Sequence, residues 1–214
     1  MDILKRVETE KLIAIIRGYN TNETIKIAKA LYEGGIRLLE VTLNSDNALD
    51  TIGALHSHLE KDVLIGAGTV LDSESAVLAI KAGAKFIISP TLDVETIKAT
   101  KRYGVISIPA AFTPTEILTA VEAGADIVKV FPASSLGPNY VKDIHGPLPH
   151  IKLLPTGGVN VENVNEFIKK GAIGVGLGSS LVPNTIKVTD EFLDQVTNNA
   201  KQFTIKNENV INWS

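Results

Sequence analysis

The stretch EAGADIVKV, residues 122–130, passes from a helix end through a glycine into a buried strand. The same pattern returns in EGGIRLLEV at 33–41, KAGAKFIIS at 81–89, YGVISI at 103–108 and KKGAIGVGL at 169–177. Glycine supplies the left-handed residue that ends a helix, and the run behind it is rich in Ile, Val and Leu. Those runs lack strict alternation, as expected of parallel strands covered by helices on both faces. From Gly35 to Gly83 is 48 residues, to Gly104 a further 21, to Gly124 a further 20 and to Gly171 a further 47. Each long gap therefore hides another unit. VLIGAG at 63–68 and IKLLPTGG at 151–158 fill the two gaps, and LIAII at 12–16 opens the series.

The count reaches eight strands, near residues 12–16, 36–41, 63–67, 85–88, 105–108, 126–130, 151–155 and 173–177. Eight strand–helix units in 214 residues predict an α/β fold, a (β/α)8 TIM barrel in a single domain over 1–214. A closing helix, DEFLDQVTNNAKQF, and a polar tail containing Trp213 follow after about residue 184. A doubly wound open sheet competes. It calls for fewer strands and a glycine-rich fingerprint after the first, where this chain reads IIRGYN. Thr113, Pro114 and Glu116 fit the N-cap, N1 and N3 positions of a capping box.

Composition narrows the class. Lys and Arg number 21 against 24 Asp and Glu, and there is no Cys. Nucleic acids and anionic membranes recruit clustered basic surface, so neither is expected as a partner. Without cysteine there is no disulfide, thiolate nucleophile or iron–sulfur cluster, which fits a reducing cytoplasm. The start, MDILKRVETEKL, lacks a signal-peptide pattern, and no run of 18 apolar residues occurs. The four histidines, His56, His58, His145 and His150, end no strand, so no metal site is expected at the barrel mouth.

Barrel chemistry gathers where strands end. Lys129 stands in DIVKVFP in register with Ile127 and Phe131; facing inward, its amine is desolvated and able to attack a carbonyl as a Schiff-base nucleophile. The plainer alternative is a lysine that snorkels to the rim. Glu40, inside LLEVTL, suits a general acid–base with a raised pKa, or an ion pair with Arg17 or Lys129. Arg17 is itself either such a partner or a fork for a carboxylate or phosphate. PTGGV at 155–159 and GLGSS at 176–180 put glycines at the last two strand ends, where backbone N–H groups hold anions and Thr156 and Ser179 add hydroxyls.

In wording and order, these motifs resemble the class I aldolases that cleave 2-keto-3-deoxy-6-phosphogluconate and 4-hydroxy-2-oxoglutarate. AIIRG at 14–18, LLEVTL at 38–43, IGAGTV at 65–70, FIISP at 86–90, IPAAFTPTE at 108–116, VKVFPAS at 128–134, LPTGGV at 154–159 and GLGSSLVP at 176–183 carry the resemblance. It implies a trimeric (β/α)8 enzyme that needs no cofactor and acts on a phosphorylated 2-keto-3-deoxy acid, with pyruvate as a product. It implies that Lys129 forms the Schiff base and Glu40 transfers protons. Thr69 and, as in related members, Arg17 then contact the ketoacid carboxylate, Pro90 and Phe131 form an apolar wall, and Thr156, Gly157, Gly158, Gly178 and Ser179 bind phosphate.

The chain also departs from the pattern. Asn44 stands where some members carry arginine, and Pro109-Ala110 replaces a Pro-Gly. LNS at 43–45 and GPNYVKDI at 137–144 resemble members that act on the galactonate epimer. The distal carbons of the substrate therefore stay open. Two further functions compete: a phosphosugar isomerase or epimerase using Glu40 as base without an imine, and a non-catalytic sugar-phosphate binding protein.

Overall fold

The computed structural model describes residues 3–184 and 186–211, from 206 onward by backbone alone. Helix α1 (Ile3–Glu10) leads into β1 (Leu12–Ile16), α2 (Thr21–Glu33), β2 (Leu38–Thr42), α3 (Ala48–His58), β3 (Leu64–Gly68), α4 (Ser73–Lys81), β4 (Phe86–Ile88) and α5 (Val94–Arg102). The second half runs β5 (Ile106–Ile108), β6 (Ala110–Ala111), α6 (Pro114–Glu122), β7 (Val128–Val130), α7 (Pro138–His145), β8 (Leu153–Pro155), α8 (Val164–Lys169), β9 (Val175–Leu177) and α9 (Asp190–Ile211). The closing helix thus extends beyond the predicted segment. Trp213 lies outside the described residues.

The fold is α/β, a curled parallel sheet with helices packed against it. Six strands run in the order β5-β4-β3-β2-β1-β9, three more in the order β6-β7-β8, and every pairing is parallel. The predicted fifth strand, 105–108, is β5; beyond Pro109, which has no N–H for the ladder, the path continues in an unpredicted second short segment, β6. Hydrogen bonds cross between the two sheets on both sides. Asp126 N–H, just before β7, donates to the Ser107 carbonyl of β5 at 3.1 Å, Ile173 N–H donates to the Leu153 carbonyl at 3.1 Å, and Thr156 bridges Gly176.

Alternation along the strands separates two apolar layers. Ile13, Leu38, Leu64, Phe86, Ile88, Ile108, Ile127 and Leu154 pack together on the inner face. Their chain neighbours, among them Leu12, Ala14, Leu39, Ile65, Ile87, Val128 and Leu153, meet Ile27, Leu31, Ile52 and Leu55 of the helices. The inner layer also holds Val7 of α1, with Ile3 and Leu4 beside it, so this helix stoppers the N-terminal end of the strands. Helix boundaries follow local chemistry. Thr113 and Glu116 form the predicted capping box, and the five repeat glycines all take positive φ, from 69° at Gly104 to 114° at Gly83.

Inner-face volume is matched strand to strand. A Cβ on Gly66 would sit 2.1 Å from the ring of fully buried Phe86, so β3 gives up a side chain where β4 carries its largest. Gly66→Ala is expected to lose about 1–3 kcal/mol through overpacking. Urea denaturation should record that loss, and adding Phe86→Leu should recover part of it.

Candidate active site

Continuing the inner register toward the strand ends replaces apolar side chains with polar ones. Ile13 and Ile15 lead to Arg17, Leu38 to Glu40, Ile127 to Lys129 and Phe131, and Leu154 to Thr156. Lys129 is only 5% exposed and Glu40 1%. The ladder sets Lys129 between Ala110 and Leu154, and Glu40 between Ile15 and Gly66. The Lys129 ammonium nitrogen lies 4.7 Å from the Phe131 ring centroid, within cation–π range. The Glu40 carboxyl group lies over Gly68, where a Cβ would fall 1.6 Å from Oε1. No larger residue leaves the acid in that seat.

Burial drives both groups toward neutrality. It pushes the Lys129 amine well below the ordinary lysine value; the Glu40 charge resists that shift and Arg17 reinforces it. Burial also raises the Glu40 carboxyl, while the charges of Lys129 and then Arg17 pull it back. Among the described residues no ion pair joins Glu40 to either cation. The site therefore holds an amine inclined to lose its proton and an acid inclined to keep one. Arg17 donates to the Thr69 hydroxyl at 3.3 Å. Thr69 holds φ at 55°, a left-handed conformation that costs a β-branched residue energy and often marks a functional site.

A cavity of about 500 Å³ opens above these groups. Arg17, Thr69, Pro90, Lys129, Phe131, Thr156, Gly157, Gly158, Gly178 and Ser179 all line it, so the residues predicted from strand ends and turns converge. Glu40 does not reach its surface; it is buried beside Lys129. Sequence reasoning missed Ile15, Val159, Asn160, Gly176, Ser180 and Asn184 in the lining. Alternation signalled two of them, since Ile15 and Gly176 precede Arg17 and Gly178 by two residues. Ser180 and Asn184 sit in an aperiodic loop and had no such signal. Asn44 is exposed and lines no part of the cavity, whereas Ala110 is buried against Lys129. His56 and His145 bond the Gly83 and Ile151 carbonyls through Nε2, which gives both structural partners.

A desolvated amine beside a carboxyl group that favours its proton, at the C-terminal end of a parallel α/β sheet, has the make-up that imine chemistry requires. The chain belongs to the KDPG and KHG aldolase family, whose model matches residues 3–198; it is an aldolase, a carbon–carbon lyase. It is 38% identical over 171 residues to the 2-dehydro-3-deoxy-6-phosphogalactonate aldolase of Escherichia coli strain K12, covering 79% of this chain and 83% of that one. The KHG/KDPG aldolase of the same organism is 32% identical over 196 residues, 91% of each chain. Among solved structures, the KDPG aldolase from Legionella pneumophila, with pyruvate captured at low pH as a covalent carbinolamine intermediate, superposes with a TM-score of 0.85. That pair is 30% identical, over 94% of this chain and 97% of that one.

The buried amine should cost stability. Between the depressed folded pKa of Lys129 and the ordinary lysine value, the unfolded chain binds more protons than the folded one, so stability falls as pH falls through that window. Lys129→Met removes the dependence. The variant should melt above the native chain near neutral pH, by a margin that narrows toward about pH 10. Thermal melts of both proteins across that range check the sign.

Proposed function

We propose that this chain reversibly cleaves phosphorylated 2-keto-3-deoxy acids through an imine on Lys129, with Glu40 as the proton carrier. The observation that carries the reading is the burial of both groups at one strand-end site, which pushes the amine toward losing its proton and the acid toward keeping one. Hydrogen bonds across both seams support closure of the two sheets into one (β/α)8 barrel. Family membership supports a homotrimer, and the sequence composition supports a cytoplasmic setting. On this reading no cofactor takes part.

The neutral Lys129 amine adds to the C2 ketone to give a carbinolamine. Glu40 protonates its hydroxyl, water leaves, and an iminium forms. Glu40, now a carboxylate, takes the proton of the C4 hydroxyl directly or through water. The C3–C4 bonding pair flows into the iminium, an aldehyde departs and a pyruvate enamine remains. Glu40 returns the proton to C3, and water hydrolyses the new iminium to release pyruvate and the amine. Arg17 and Thr69 hold the ketoacid carboxylate, Pro90 and Phe131 wall the reacting carbons, and the turns at Thr156–Gly158 and Gly178–Ser179 take the phosphate.

With 2-keto-3-deoxy-6-phosphogluconate the aldehyde is glyceraldehyde 3-phosphate; with 4-hydroxy-2-oxoglutarate it is glyoxylate. A second reading, the galactonate-derived epimer, rests on the LNS and GPNYVKDI stretches and on similarity to the Escherichia coli galactonate-series aldolase. Turnover measured on the three substrates separates these readings.

Pyruvate with borohydride should leave a reduced pyruvyl adduct on Lys129, visible by peptide mass spectrometry. Lys129→Ala should abolish both the adduct and cleavage, whereas cleavage at the native rate would remove the mechanism. Glu40→Gln should lower kcat by about 10²–10⁴-fold. The pH–rate profile should be bell-shaped: activity falls on the acid side as the amine gains its proton and on the alkaline side as the acid loses its own, both limbs belonging to the coupled pair.

A further inference from the structure

One side chain outside the cavity grips the glycine turn that faces into it. Asn163 Nδ2 donates to the Gly158 carbonyl at 3.0 Å, while its Oδ1 accepts from the Asn160 N–H at 2.9 Å. Asn160 returns the contact, its Oδ1 accepting from the N–H groups of Glu162 at 2.9 Å and Asn163 at 3.1 Å. Gly158 sits at φ 78°, a conformation that glycine adopts freely and that needs external bonds to stay fixed. In a trans peptide the C=O and N–H point opposite ways. Drawing the Gly158 carbonyl toward Asn163 therefore turns the Val159 N–H to the other side. Gly158 and Val159 both line the cavity, and neither N–H meets an acceptor among the hydrogen bonds of the described residues. The next carbonyl, that of Val159, is held by the hydroxyl of Ser180, a second lining residue, at 2.7 Å.

The choice of an amide carries information. Glu or Gln usually closes a reciprocal arrangement of this kind. A carboxylate at 163 would accept from Asn160 equally well. It would have no donor for Gly158, and it would set a negative charge beside a pocket that must take an anion.

We propose that Asn163 is a positioning residue for the distal, phosphate-bearing end of the substrate. It fixes the Gly158–Val159 peptide with its N–H toward the cavity, and as a neutral group it leaves the anion's field undisturbed. The inference rests on the functional reading above, in which this end of the cavity takes the phosphate.

Asn163→Asp tests it with almost no change of shape. The KM for the phosphorylated aldol substrate should rise about tenfold or more, with kcat nearly unchanged. Inorganic phosphate should weaken as a competitive inhibitor by a similar factor. The pyruvate concentration that half-saturates borohydride trapping should not move, because pyruvate has no distal anion. Asn163→Ala, which removes both bonds without adding charge, should shift KM in the same direction by less. An unchanged KM in the Asp variant overturns the inference. So does a loss of pyruvate trapping that matches the loss in KM in either variant, since a loop that only supports the fold would damage both ends alike. Failure of the native enzyme to trap pyruvate would instead sink the imine reading.

Discussion

An ammonium ion gives up most of its hydration when it is drawn between strands, and a protein that buries one must pair it or let it shed its proton. Lys129 is the point at which this chain meets that constraint. Its place follows from strand alternation: a residue in step with Ile127 cannot leave the interior without reversing the register of β7. The surroundings complete the effect. Ala110 and Leu154 flank it in the ladder, and the nearby acid is itself too buried to be a well-solvated counterion; the Phe131 ring face works the other way, by attracting the cation, and does not replace the lost hydration. Charge is expensive here for both partners, so the neutral amine and the neutral acid are favoured together. Natural sites often retain such destabilising arrangements where activity needs them.

The topology brings remote residues to this point. Arg17, Glu40, Thr69, Lys129 and Thr156 come from five strand ends, and parallel strands put all those ends on one side. Small residues make the convergence possible. Gly68 leaves room for the Glu40 carboxyl group, as Gly66 leaves room for Phe86 and Gly176 for the Thr156 hydroxyl. The cavity consequently has two chemically different walls. One carries the amine, the arginine and a strained threonine; the other carries glycine turns whose backbone is tied by Asn163 and Ser180.

Much of this was legible in the sequence because it repeats. A glycine followed by Ile, Val and Leu marked the strands, and the residue ending each run pointed to Arg17, Lys129, Thr156 and Ser179. Other features obey no such period. Helix α1 is short and polar, and only Ile3, Leu4 and Val7 hint that it covers the strand bottoms. The break at Pro109 changes how the fifth strand is counted without changing its path. The reciprocal bonds of Asn160 and Asn163 depend on loop geometry that a string of polar residues, VNVENVNE, does not disclose. The positive φ of Thr69 is likewise a tertiary fact, imposed at a strand end on a residue that would otherwise avoid it.

The most direct measurement is the proton affinity of one nitrogen. With lysine side chains isotopically labelled and the Lys129→Met variant used for assignment, NMR can follow the Lys129 amine as pH is raised. The amine is expected to lose its proton below the ordinary lysine value of about 10.4. Titration at or above that ordinary value would contradict the burial-driven nucleophile, because an amine that holds its proton as firmly as a solvated one is not desolvated.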